Sequence, residues 1–93
     1  MITKIAVNNA LMAWEAARDK ASLEHAAWGA LLQNHKSLID SMRTLGWTYD
    51  KAKSEFDQLS NSHRETYLVA LADMDAKCAE YQKIKAAFDN QEP

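Results

Sequence analysis

Apolar residues return every seventh position along almost the whole chain. Val7, Trp14, Ala21, Trp28, His35 and Met42 share one register, and Leu11, Ala17, Leu31, Leu38 and Leu45 fall three or four places further on. At 3.6 residues per turn these two rows lie side by side as one helix stripe. Beyond residue 48 the spacing resumes with Tyr49, Ala52, Phe56, Leu59, His63, Tyr67, Ala70, Leu71, Met74, Cys78, Tyr81, Ile84 and Phe88. Between the two stretches stands Thr44-Leu45-Gly46-Trp47-Thr48. Gly46 can take the left-handed conformation that closes a helix. Thr48 can cap the next one, with Asp50 in the first turn facing its positive dipole end.

The pattern therefore predicts a single all-α domain over residues 1–93: a helix over about 3–45, a turn at 45–48, a helix over about 49–89 and a disordered tail at 90–93. Each helix is roughly 40 residues, about 60 Å at 1.5 Å per residue. A linker so short makes them antiparallel, a helical hairpin. Two places could kink or break the rods. Ser62 and Glu65 match a capping box, and Asp19-Lys20-Ala21-Ser22 is a milder interruption. A break at both would give a compact monomeric bundle of three or four helices instead.

Apolar residues also come in adjacent pairs: Ala10-Leu11, Leu31-Leu32, Leu38-Ile39 and Ala70-Leu71. Neighbours lie about 100° apart around a helix, so the pairs predict a surface wider than one seam. Large side chains left open would forfeit about 1.5–3 kcal/mol each, which favours a homodimer of two hairpins packed as a four-helix bundle. Trp14, Trp28, Leu31, Leu38, Met42, Phe56, Tyr67, Met74, Tyr81 and Phe88 are the expected core or dimer seam. Gly29, beside Trp28, is expected to let another helix or the indole come close, since mid-helix glycine costs roughly 1 kcal/mol against alanine. Trp47 and Tyr49, at the turn and off the regular stripe, are the candidate contact for another protein.

Composition narrows the class. The chain carries 11 basic and 13 acidic residues, a net charge of −2, and only two glycines and one proline. Residues 1–47 hold five bases and four acids, and residues 48–93 hold six and nine, a weak complement between the two halves. A general nucleic-acid binder would usually be basic. One cysteine, Cys78, forms no internal disulfide and fits a reducing, cytoplasmic setting. Asn8, Asn9 and Glu15 spoil a secretory core, and no apolar run nears the roughly 18 residues of a membrane span, so no membrane partner is expected.

Chemistry-bearing residues are scattered. His25, His35 and His63 are 10 and 28 apart, whereas helical metal ligands need a spacing of three or four; they are expected as half-buried packing residues, with His35 facing roughly residue 58. The pairs Glu55/Asp57 and Asp73/Asp75 sit two apart on different helix faces. Lys51–Glu55, Lys53–Asp57, Asp73–Lys77 and Glu80–Lys83 are expected surface ion pairs. No phosphate loop or nucleophile elbow is present, so no enzyme, metal or cofactor is expected. Leu38 to Phe56 has the outline of a helix-turn-helix. Its second helix, though, opposes Asp50, Glu55 and Asp57 to Lys51 and Lys53, leaving no net attraction for phosphate.

The length and the glycine–tryptophan turn make the chain similar in outline to the WXG100 helical hairpins. The order Gly46-Trp47 is reversed from that family's Trp-x-Gly, and Tyr81 is followed four places on by Lys85 rather than an acid. The chain is not assigned to that family. The reading is a non-catalytic protein–protein interaction module: an adaptor, chaperone or inhibitor, such as a phage- or mobile-element-encoded inhibitor of a host or competitor protein. A nucleic-acid-associated accessory protein and a secreted helical-hairpin export substrate are the alternatives.

Overall fold

The computed structural model describes residues 1–91. It forms three α-helices: α1 (Lys4–Gln33), α2 (His35–Thr44) and α3 (Tyr49–Asp89). The architecture is all-α and antiparallel, since later residues of the first arm meet earlier residues of α3. Ile2 meets Gln91, Trp14 meets Tyr81, Trp28 meets Tyr67, and His35 meets Phe56. No described helix is long and apolar enough to cross a membrane.

The turn follows from its residues. Gly46 takes φ +96°, a conformation that costs side-chain-bearing residues roughly 1–2 kcal/mol. Its N–H donates to the Arg43 carbonyl at 2.9 Å, and the Trp47 N–H donates to the Met42 carbonyl at 3.1 Å. This pair of bonds is the Schellman closure, and it satisfies carbonyls that the ending helix would otherwise leave open. Thr48 then caps α3, its Oγ1 accepting from the Lys51 N–H at 3.2 Å, and Asp50 sits in the first turn.

The first arm is interrupted at Asn34, not near Ser22, and α3 runs unbroken through Ser62. Asn34 has φ −96° and ψ 14°, outside the helical well. Its N–H is shared between the carbonyls of Ala30 and Leu31, at 3.1 and 3.2 Å, while its side-chain amide donates to the Ala30 carbonyl at 2.9 Å. The side chain thus competes with the backbone for one acceptor. At Ser62, the carbonyl merely accepts the Thr66 hydroxyl at 3.0 Å.

Two compact units share these helices: Met1–Ser22 with Val69–Pro93, and Leu23–Leu68. In the first unit Trp14 stacks on Tyr81, centroids 6.2 Å apart and planes 2° from parallel. The Arg18 guanidinium, one turn along α1, lies over the Trp14 ring, 5.6 Å from its centroid. Of the expected loose tail, Asn90 follows α3 in a turn, and the Gln91 amide brackets the backbone of Ile2, accepting its N–H and donating to its carbonyl. Positions 92 and 93 lie outside the described residues.

The second unit holds the best-formed core. Ile39, Ala52 and Phe56 are buried together, with Leu31, Leu38, Met42 and Trp47 packed around them. Trp28 donates from Nε1 to the Ser60 hydroxyl at 3.4 Å, which gives the indole N–H a partner as its ring is covered.

Across the described residues, four of the six buried hydrophobics are alanines: Ala17, Ala21, Ala52 and Ala70. Phe56 is the one large aromatic buried with them, and all three tryptophans are half-buried.

Candidate functional site

The expected seam residues lie on the intramolecular seam. Phe56 is buried; Trp14, Trp28, Leu31, Leu38, Met42, Tyr67, Met74, Tyr81 and Phe88 are half-buried. The paired apolar positions do not supply the open surface expected of them. Ala10, Leu11, Leu38, Ile39, Ala70 and Leu71 are all covered at least in part, and only Leu32 stays exposed. Both members of most pairs straddle the seam, so one neighbouring arm covers both.

The open apolar surface comes from other residues. On α1, Ile5, Met12 and Leu23 are 71%, 66% and 71% exposed. With Ala16, Ala26 and Ala30, which are also exposed, they follow steps of three, four and seven on the side facing away from α3. On α3, Val69 is 71% exposed, and Ala72, Ala76, Ala79 and Ala86 continue its row. A helix whose seven-residue repeat is satisfied on one side has no need of a second repeat on the other. The signal was present in the sequence, but each position was masked by the stronger aromatic register beside it.

At the turn, Leu45 is 78% and Tyr49 48% exposed. Leu45 had been expected within the stripe; the Schellman closure turns it outward. Trp47 is half-buried against the Ile39–Phe56 cluster, and the Lys51 ammonium sits 4.6 Å from its centroid. This indole is thus partly engaged by the chain itself, while Tyr49 and Leu45 are exposed.

The polar groups are dispersed. His25 and His35 are exposed rather than half-buried, lying edge-on to Tyr67 at 5.0 Å and to Phe56 at 4.3 Å, while His63 is half-buried. No three histidine, cysteine or acidic side chains among the described residues come close enough to hold a metal ion. Of the expected ion pairs Asp73–Lys77 forms, at 3.0 Å; Arg18–Asp19 at 3.2 Å and Lys85–Asp89 at 2.7 Å are the others among the described residues. The Asp89 hydrogen bond, and then its charge, hold the Lys85 ammonium above its ordinary titration range. All three pairs are solvent-exposed and contribute little to stability. Gly29 has nothing from elsewhere in the chain within 4 Å of where a Cβ would stand, so no neighbouring helix of this chain requires it.

No family model, curated protein or solved structure matches the chain.

Proposed function

We propose that the chain is a non-catalytic interaction module, an adaptor, chaperone or inhibitor that engages proteins through its outer helix faces and itself associates. The observation that carries this reading is the exposed row of Ile5, Met12 and Leu23 on α1. These side chains sit opposite a seam that the hairpin has already closed. Covering each would gain about 1.5–3 kcal/mol, which a second chain can supply and the chain's own arms do not. Trp47 and Tyr49 at the turn form the second, smaller candidate contact. The reading includes the kind of small inhibitor encoded by phages and mobile elements, whose working parts are surfaces.

The test is affinity purification from the native host with three baits: the native chain, a Met12→Lys/Leu23→Lys variant and Trp47→Ala. Circular dichroism establishes that all three are folded. The reading expects a specific protein recovered by the native chain and lost with the double lysine variant. Equal recovery by all three baits overturns it.

A further inference from the structure

We infer that the chain's ends form a latched unit: the Gln91 side chain clasps the Ile2 backbone, and residues 1–22 with 69–91 open together on its release while residues 23–68 stay folded. This device is separate from the outer-face reading above and concerns the seam that the fold conceals. Gln91 accepts the Ile2 N–H at Oε1 and donates from Nε2 to the Ile2 carbonyl at 2.9 Å, joining positions 89 apart in the chain. One amide side chain thus holds both polar groups of one residue, as a neighbouring strand would. A carboxylate could only accept there and an ammonium only donate. Both partners are delivered by well-finished helix ends. Thr3 caps α1, its Oγ1 accepting from the Ala6 N–H at 3.1 Å. After α3 the Asn90 N–H reaches the Ala86 carbonyl at 3.1 Å, and the Gln91 N–H reaches that of Phe88 at 3.2 Å.

Behind the clasp the packing is thin. The buried side chains of this unit, among the described residues, are Ala17, Ala21 and Ala70. Its larger seam residues, Leu11, Trp14, Met74, Tyr81 and Phe88, are half-buried, so closing the arms removes only part of their apolar surface from water. The unit of residues 23–68 instead buries Ile39 and Phe56 with Ala52, and its arms are joined through the Gly46 turn.

Connectivity then sets which unit opens first. With residues 23–68 folded, the ends remain tethered and close again like a zip. Opening residues 23–68 between closed ends would instead leave a long loop whose closure costs entropy. Local opening therefore falls to the ends. Once apart, the arms lose the packing on which helices of this length depend, so separation and melting go together. The Trp14–Tyr81 stack, centroids 6.2 Å apart, lies between the clasp and the buried alanines and carries the release inward. Opening uncovers Trp14, Tyr81 and Phe88, an aromatic surface that the closed chain withholds.

Residue-resolved amide hydrogen exchange in dilute solution tests it, on the native chain, Gln91→Ala, Asn90→Ala and Ile39→Val. In the native chain, amides of residues 8–20 and 72–88 share one opening constant, larger than that of residues 53–66. Gln91→Ala raises that constant by about threefold or more throughout, since one net hydrogen bond is worth about a 2- to 12-fold factor in an equilibrium, and leaves residues 53–66 unchanged. Asn90→Ala, at an exposed neighbour, keeps the native profile. Ile39→Val speeds residues 53–66 and leaves the ends as they were. The inference is overturned by a Gln91→Ala profile equal to the native one, by an increase confined to the first and last turns, by an equal effect of Asn90→Ala, or by both units rising together in any variant. None of these outcomes bears on capture of a protein by the outer faces.

Discussion

The same chemical change at the chain's two glycines should move stability in opposite directions. At Gly46 the backbone is left-handed, φ +96°, with open space where a Cβ would stand. Alanine there meets no neighbour, so its whole cost is backbone strain, roughly 1–2 kcal/mol. At Gly29 the space is equally open and the backbone is ordinary helix. Alanine there restricts the unfolded chain and favours helix, stabilising by about 0.4–1 kcal/mol. Thermal unfolding followed by circular dichroism, at concentrations low enough to exclude association, reads both. For a domain of this size 1 kcal/mol moves the midpoint by roughly 4–8 °C. Gly46→Ala should fall by at least about 4 °C and Gly29→Ala should rise by a few degrees. Gly46→Asn, better suited to the left-handed region, should lie between Gly46→Ala and the native chain. A Gly46→Ala midpoint equal to the native one refutes the turn geometry. A Gly29→Ala chain that loses stability shows a packed neighbour where the structure places none.

Three further outcomes follow from the core and the caps. Phe56→Ala removes the largest side chain of the buried cluster and should cost about 3 kcal/mol in urea titrations; a loss under 1 kcal/mol means the cluster is not the core. Thr48→Ala should cost about 1 kcal/mol by losing the cap on the Lys51 N–H, whereas Thr66→Ala, whose hydroxyl bonds a carbonyl already used by the helix, should change stability by less than half of that; equal losses would count against the assigned start of α3. Lys77→Ala should change the unfolding free energy by no more than about 0.5 kcal/mol, since its pair with Asp73 is exposed, and a larger loss would show that the pair is not a solvated one.

Much of the hairpin was readable from residue order. The heptad of aromatics and alanines set the helical period, and Gly46 with Thr48 marked where the chain reverses. The interruption at Asn34 was harder to read, because Leu31 and Leu38 keep the seven-residue spacing across it. Asparagine's effect is local, a side-chain amide competing for one carbonyl, and leaves hydrophobic periodicity intact. The serines at 22 and 62 looked like better stops, but α1 and α3 run straight through them. Adjacent apolar pairs misled about the outer surface because neighbours 100° apart can both touch one broad seam. Ile5, Met12 and Leu23 belonged to a second, fainter repeat that was visible only once the first had been placed on the inside. For the histidines, spacing described their separation but not their edge-on positions against aromatic rings, which depend on where the two arms meet.

The most direct test of the account is whether unfolding depends on concentration, compared between the native chain and Leu23→Lys. A group that is open in the single chain and covered on association stabilises only by mass action. The native midpoint should climb as the chain is concentrated, while the variant's should stay flat and coincide with the dilute native value. Two flat and equal profiles would contradict self-association through the outer face. A variant weaker than the native chain even at high dilution would place Leu23 inside the fold rather than on its surface.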